Sequence, residues 1–497
     1  MNHPDVIVVG SGNAALCAAI AALEKGASVL IIEKANEEEM GGNSRYTAGA
    51  MRFVYNGTDD ILPLLKSPDD EKIAKTEFGS YTKGKFQKDL YGFNEGKPLS
   101  IHQQTLINES YATMKWLATH NIKFDPIYSR QTFEKDGKYI FWGGLTLEAE
   151  GEGVGLVAAE LAEFKRLGGE ILYETAAKSL ILKNDKVVGV KCETKEGEKD
   201  FYASSIVLGC GGFEANPAMR KQYIGASWEY AKTRGTRHNM GIGIKMATEV
   251  GAVEHGIYSG CHAVPMDLKM PEYGNLSIPY IERKHYRKIC YFLGVMLNAN
   301  GERFVDEGIN FRNYTYAQFG RAIIEQPNGF AWQIFDKKVN DLLYSEYRFW
   351  DAHFVEADTL EALVSKLEGV NQEKALTTIK EYNAAIDTSI DFDPTILDGK
   401  STKGLALNKT NWANTLDTAP FKAFPVTCGI TFTYGGLKID ERTGAVLRAN
   451  NTEIEGLYAC GELVGGVFYY GYPGGSGLTS GAVFGRIAGY GAAKSRC

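Results

Sequence analysis

The sequence predicts an α/β fold built on parallel strands, and three consecutive stretches near its start predict it. Residues 5–10, DVIVVG, form a short apolar run closed by glycine, as a strand buried on both faces requires. Gly10-Ser11-Gly12-Asn13-Ala14-Ala15 follows and opens an Ala/Leu-rich helix that Gly26 stops after Lys25. Residues 27–33, ASVLIIE, then form a second strand that ends in an acid. Strand, tight glycine turn, helix and acid-tipped strand are the context in which GxGxxG/A marks a dinucleotide site. Gly10 permits the turn, Gly12 lets backbone approach a pyrophosphate, and Ala15 lets the helix pack closely on the strand. Asn13 and Ala14 open the helix N-terminus that faces the phosphates, and Glu33 is placed for a ribose hydroxyl.

Three further passes repeat this small-residue chemistry. Lys34 and an acidic stretch lead to Gly41-Gly42-Asn43-Ser44; residues 203–213, ASSIVLGCGGF, run a strand into glycines that include Gly211; residues 456–466, GLYACGELVGG, run another into Gly461-Glu462. Any one would pass as a strand-end turn. Four together point to an extended ligand, longer and more enclosed than NAD.

Composition narrows the class. Basic residues number 54 against 61 acidic, for a net charge of −7, and no dense Lys/Arg run occurs, which argues against nucleic acid or an anionic membrane as partner. No two of the eight cysteines have CxxC spacing, so no metal site, iron–sulfur cluster or c-type haem is expected, and the thiols are expected to be reduced. The first residues show no signal-peptide pattern and no apolar run is long enough to span a membrane; the expected location is cytoplasmic. Apolar periodicity predicts helices over 106–119 and 155–167, a small antiparallel sheet within 172–199 turning at Asn184-Asp185, and a helical segment over 356–420.

In GITFTYGGL (429–437), DEGINFRNYTYA (306–317) and GYPGGSGLTSGAVFGR (471–486), together with the glycine passes, the chain resembles flavoproteins of the fumarate reductase and succinate dehydrogenase superfamily. Within it the resemblance is closest to tricarballylate dehydrogenase-like proteins, and the PGG element is similar to that of 3-ketosteroid dehydrogenases. The resemblance implies a Rossmann-type FAD-binding domain, with GxGxxA, split by a capping α+β domain. We divide the chain accordingly into 1–235 (FAD-binding), 236–355 (cap) and 356–497 (the helical segment and the return to the FAD-binding domain). Gly41, Gly42, Asn43 and Ser44 would line the diphosphate and flavin, and Glu462 would hold ribose or ribitol hydroxyls. Gly475, Ser476, Gly477 and Leu478, at the start of the last helix, would face the flavin edge. Relatives that bind FAD covalently use a histidine in the segment equivalent to 41–50; no histidine lies between His3 and His102, so FAD is expected to be non-covalent.

The same resemblance implies hydride transfer at flavin N5, with an acid or base on the neighbouring carbon. Arg312 is the best counterpart of the family's proton-shuttling arginine, offset by one residue; Tyr314 or Tyr316 are alternatives for that role, or Arg312 simply pairs with Asp306 or Glu307. His262 matches a substrate-binding histidine. Arg237-His238-Asn239 is a lesser candidate, and Arg283, His285, Tyr286 and Arg287 form a basic–aromatic cluster. Two positions depart from fumarate reductases: Thr431-Phe432 stands where they have histidine, and Tyr472 where they have arginine. Fumarate and succinate are therefore poor candidates, and Tyr472 becomes a candidate catalytic donor. The expected activity is dehydrogenation or reduction of a C–C bond beside a carboxylate or carbonyl, as for tricarballylate, with a separate electron acceptor or donor. The alternatives are a 3-ketosteroid-type desaturase and an alkene-forming or alkene-reducing enzyme on another carbonyl compound.

Overall fold

A computed structural model describes residues 3–274, 286–349 and 352–494. The chain divides into two compact units: Met1–Ile224, Gly235–Cys261 and Phe432–Cys497 form the first, and Gly225–Arg234 with His262–Thr431 the second.

The first unit is organised by a six-stranded sheet. Its strand order is Ala445–Leu447, Glu453–Ala459, Ser205–Leu208, β1 (Val6–Val9), β2 (Val29–Ile32), Glu170–Leu172. All neighbours pair parallel except the first two; Val6 lies opposite Ser205 on one side and Val29 on the other. Every residue of β1 and β2 is buried, which explains their unbroken apolar runs. The helix α1 (Asn13–Glu24) follows β1, and its Ala-rich surface is buried nearly all round. It packs on the last helix, Ser476–Lys494, through Gly481, Gly485 and Gly489. A Cβ at these glycines would come within 2.7 Å of Asn13 Nδ2, 2.4 Å of the Ala14 carbonyl and 2.2 Å of the Ala18 carbonyl. Their spacing of four puts them on one helix face, so their helix-weakening cost is repaid by close backbone approach.

The antiparallel sheet Ala176–Lys183, Lys186–Thr194, Gly197–Tyr202 turns at Asn184 and Asp185, both at positive φ as a two-residue hairpin demands. The helix expected over 106–119 runs from Ile101 to Thr119, started by a Ser100/Gln103 capping box, and the next spans Glu152–Arg166. On the latter, Glu160 is wholly buried; Cys17 Sγ donates to its Oε1 at 3.5 Å, and Oε2 has no hydrogen-bond partner among the described residues. Burial therefore pushes this carboxyl well above its usual range. The folded protein keeps a proton there that the unfolded chain releases in the ordinary carboxyl range, so the stabilising effect is full below that range and is lost as pH rises through the raised folded value. Glu160→Gln is expected to raise the thermal unfolding temperature by a few degrees at alkaline pH and to change it little in mild acid; equal shifts at both would contradict this.

The second unit is built around the long strand Phe421–Thr433, which pairs antiparallel with Phe330–Phe335 and Val355–Ala357 and parallel with Lys232–Thr233; Val295–Asn298 extends the sheet and Cys261–Asp267 joins it at the long strand. The expected boundaries differ here in four places, two of them short: residues 225–234 and 421–431 fall in the second unit. Residues 356–420 belong with the second unit, because helix Gln372–Ala385 buries Ile379 and Tyr382 in one core with Trp332, Ile334 and Phe421. Residues 236–261 belong with the first, because Gly243 on helix Ile242–Glu249 lies so close to Cys210 and Leu463 that a Cβ would sit 2.7 Å from Cys210 Sγ. An amphipathic pattern shows that a helix has a core-facing side but not which core it meets. Among the described cysteines no disulfide forms, and burial pushes the Cys192, Cys210 and Cys290 thiols up to about 12.

Candidate active site

In the first unit one cleft opens at the carboxyl ends of the parallel strands. It is lined by Gly10, Gly12, Asn13, Ala14, Glu33, Lys34, Gly42, Asn43, Ser44, Gly211, Gly461 and Glu462. Gly10 is dictated by its turn: φ is +103° and a Cβ would lie 2.6 Å from the Gly209 carbonyl. Gly12 is different. Its φ is ordinary, and an added Cβ would meet Ser44 Oγ at 3.5 Å and the Gly41 carbonyl at 3.6 Å, contacts that an alanine tolerates. Gly12 is also the N-cap of α1 and offers no side-chain cap; Ser44 takes the Asn13 amide, and the amides of the first turn that follow it are the ones a ligand can meet.

Glu33 is 7% exposed, accepts from the Ala35 amide at 2.7 Å and from the Ser11 hydroxyl, and keeps lone pairs for further donors. Ser11 Oγ accepts from the Gly41 amide at 2.9 Å, and Ser44 Oγ from the Asn13 amide at 3.0 Å, so the two glycine loops brace each other. Gly41 stands at φ +101° behind the cleft lining, where a Cβ would strike Arg45. Burial lowers the pKa of Lys34, and Lys178 and Arg237 add to that. Arg237 and His238 both bond Glu39. These residues fit a long dinucleotide: an uncapped helix start for phosphate and the Glu33 and Glu462 carboxylates for hydroxyls.

Gly475, Ser476, Gly477 and Leu478 lie outside that lining. Gly475 needs its φ of +89° because Leu145, the Arg52 amide and the Ala50 carbonyl surround the Cβ position at 2.5, 3.2 and 3.4 Å. Ser476 Oγ donates to the Pro473 carbonyl at 2.6 Å, and the Leu478 carbonyl accepts from Asn13 Nδ2 at 2.9 Å. Arg52, which the sequence reading missed, is fully buried and clamps the loop by donating Nε to the Gly474 carbonyl at 2.7 Å, while its backbone amide donates to the Gly475 carbonyl at 3.1 Å. Tyr472 is buried against Phe432 and Phe468, each ring 5.3 Å away, and the Cβ position of Gly477 lies 3.8 Å from the Tyr472 ring.

The second unit gathers a separate set. His262 opens the unit's longer segment and is buried; its ring meets Tyr316 edge-on at 5.1 Å. Burial, then the charge of Arg234, holds its pKa well below the usual histidine range, so it is neutral at physiological pH. Arg234 donates to Thr431 Oγ1 at 3.2 Å. Arg312 opens helix Arg312–Ile324, with its guanidinium 5.4 Å from the Tyr344 ring and 5.9 Å from the Tyr316 ring. Burial opposes its charge, but the hydroxyls of Tyr344, Tyr316 and Tyr291 outweigh it and raise its pKa.

Pairing with Asp306 or Glu307 does not occur. Glu307 is held by Arg303 and the Met296 amide, and Asp306 accepts from Thr410 and the Gly308 amide. Tyr316, four residues on, shares the Arg312 face; Tyr314, two residues on, does not. Arg234 and Tyr344 were missed, and no local sequence pattern marks either. Of the basic–aromatic cluster, Arg283 and His285 lie outside the described residues, and Arg287 is paired with Glu346 at 2.6 Å.

A parallel sheet with this cleft defines an FAD-binding protein. The chain belongs to the FAD binding domain family, matched over residues 5–478, and FAD is its cofactor. It is 28% identical to an NADH:acrylate oxidoreductase of Vibrio harveyi over 98% of its own length and 50% of that enzyme's. The chain therefore spans about half the length of that relative. In structure it is similar to the open conformation of a flavocytochrome c3 fumarate reductase, at TM-score 0.72 and 25% identity, covering 99% of this chain and 78% of that one. A 3-ketosteroid Δ1-dehydrogenase from Sterolibacterium denitrificans shares the fold at TM-score 0.73 and 20% identity, with both chains fully covered. Among the described residues no helix is long and apolar enough to cross a membrane.

Proposed function

We propose that this protein is an FAD-dependent oxidoreductase that dehydrogenates or reduces a C–C bond adjacent to a carboxylate or carbonyl. The observation that carries this reading is Arg312, a guanidinium that makes no ion pair among the described residues and rests against tyrosine rings. Bound FAD supplies the two-electron chemistry. Arg312 then moves the proton on the carbon next to the carbonyl group, with the tyrosine hydroxyls of Tyr316 and Tyr344 available to relay it. Neutral His262 donates an N–H to a substrate oxygen, and the Arg234 charge stabilises negative charge developing there.

A polycarboxylate of the tricarballylate type is the finer reading; it rests on the three motif resemblances and on two guanidinium groups in the second unit. One observation favours a second reading, a ketone or other apolar substrate: Tyr472, at the position where the resemblance implies an arginine in fumarate reductases, sits among Phe432 and Phe468. Tyr472→Phe tests whether the hydroxyl takes part in either. Loss of its hydroxyl is expected to leave FAD bound and lower kcat/KM by roughly 10- to 100-fold, the effect of one lost hydrogen bond to a developing charge. Unchanged kinetics would remove Tyr472 from the site. A separate electron donor or acceptor serves the flavin in this reading. The test is a panel of tri-, di- and monocarboxylates and 3-ketosteroids, assayed with an artificial electron carrier.

A further inference from the structure

Arg312 is the first residue of helix Arg312–Ile324, and a helix start is a poor place to hold a side chain still. The first amides have no partner within the helix, and Phe311 before them has no polar side chain to cap them. Proton transfer, however, needs its groups held to within about 0.5 Å of the productive geometry. Something outside the helix must fix its entry, and three consecutive residues of the same unit, Thr410, Asn411 and Trp412, do so.

The turn that leads into the helix is Asp306-Glu307-Gly308-Ile309-Asn310-Phe311. The buried Asn411 donates Nδ2 to the Gly308 carbonyl at 2.8 Å, and its Oδ1 accepts from the Gly399 amide at 2.8 Å, so both ends of the side-chain amide are fixed. The two backbones also touch there: a Cβ at Gly308 would lie 2.1 Å from the Asn411 carbonyl. Before Asn411, the Thr410 amide donates to Asp306 Oδ1 at 3.0 Å, and the Thr410 hydroxyl lies 2.8 Å from Asp306 Oδ2 and 3.0 Å from the Gly308 carbonyl. After it, the buried Trp412 ring lies 5.7 Å from the ring of Phe311, the residue next to Arg312. Its indole N–H donates to the Asp393 and Ile396 carbonyls at 3.1 and 2.9 Å. Trp412 stands at φ +55°, a left-handed conformation that residues with a β-carbon adopt at a cost and that the surrounding contacts must enforce. The turn is thus held at its start, middle and end.

We propose that Asn411 is a positioning residue for Arg312: through the Gly308 carbonyl it fixes the turn from which the helix starts, and Thr410 and Trp412 hold the same turn on either side. The proposal rests on the reading of Arg312 as the group that moves the proton. Asn411 is not among the residues that line the FAD cleft, so its loss leaves the cofactor site intact. Without its amide the turn relaxes and the guanidinium shifts, whereas His262 and Arg234, which belong to other segments, keep their places. The chemical step then suffers and substrate binding does not.

The test measures kcat and KM of FAD-loaded Asn411→Ala with tricarballylate, or with whichever compound of the panel turns over fastest. Turnover is expected to fall roughly 10- to 100-fold with KM nearly unchanged, the effect of misplacing a reacting group by about 1 Å. In an Arg312→Lys background the same substitution is expected to lower the remaining turnover little further, because the group that needed placing is gone. Unchanged kcat in Asn411→Ala, or an equal further fall in the double variant, overturns the proposal. The reading beneath it fails differently: there Arg312→Lys alone would turn over like wild type. A crystal structure of Asn411→Ala gives a readout that needs no substrate, and a guanidinium still seated against Tyr344 and Tyr316 as in wild type overturns the proposal equally. Should Asn411→Ala not fold, the exposed Thr410 serves: Thr410→Val is expected to lower kcat and Thr410→Ser, which keeps the hydroxyl, to restore it. No loss in the valine variant, or a loss that serine does not restore, counts against the proposal.

Discussion

Arg312→Lys should yield a protein that is still yellow and fully loaded with FAD but whose turnover falls by roughly 100- to 10,000-fold, the usual contribution of a positioned proton-transfer group. Lysine keeps the charge but loses what the site uses. The guanidinium is planar and lies 5.9 Å from the Tyr316 ring and 5.4 Å from the Tyr344 ring, whereas an ammonium is a strongly hydrated point charge on a flexible stem. FAD retention is expected because Arg312 is not among the residues that line the cleft. Steady-state kinetics with the flavin content measured on the same sample check both halves. Turnover near wild type would remove Arg312 from the mechanism.

Gly12→Val should do the reverse and abolish FAD binding in a protein that still folds. The backbone at Gly12 is one that any residue adopts, and the first atom of a side chain has room beside Ser44 and Gly41. The branching methyls of valine then project over the uncapped start of α1, where the pyrophosphate belongs. The expected product is colourless and cooperatively folded, with circular dichroism like that of the wild-type apoprotein. Gly10→Ala is the contrasting control: its Cβ would collide with the Gly209 carbonyl and force positive φ on alanine, so the fold itself should suffer. A fully loaded Gly12→Val protein would contradict the placement of the phosphates.

The nucleotide end was legible because its information is local. The turn at Gly10, the helix start at Asn13 and the acid at Glu33 lie within one stretch of chain, and each residue type has a single physical reason to be there. The second unit was harder to read. Arg234, His262, Arg312 and Tyr344 meet only after more than a hundred residues have folded between the first and the last, and no short-range period encodes that. The glycines of the last helix show a different limit. Gly475 reads as backbone that a ligand approaches, but what surrounds its Cβ position in this structure is the chain itself, Leu145 and Arg52; Gly481, Gly485 and Gly489, which carry no reading of their own in the sequence, meet α1. A glycine records that space is taken, not by what. The boundary near 356 failed for a related reason, since helix Gln372–Ala385 shows an apolar stripe whose partner strand, Phe330–Phe335, lies on the far side of a sequence gap.

The most direct test of the central claim is an anaerobic experiment on the holoprotein. The flavin is first reduced by a chemical donor, and candidate compounds are added one at a time while its absorbance is followed. An alkene conjugated to a carboxylate or carbonyl is expected to restore the oxidised spectrum, with mass spectrometry showing a gain of two hydrogens across that double bond; the corresponding saturated compound should bleach the oxidised protein. If no carboxylate or ketone in the panel changes the flavin spectrum in either direction, while the same sample exchanges electrons freely with an artificial carrier, the protein is a redox carrier rather than a C–C oxidoreductase.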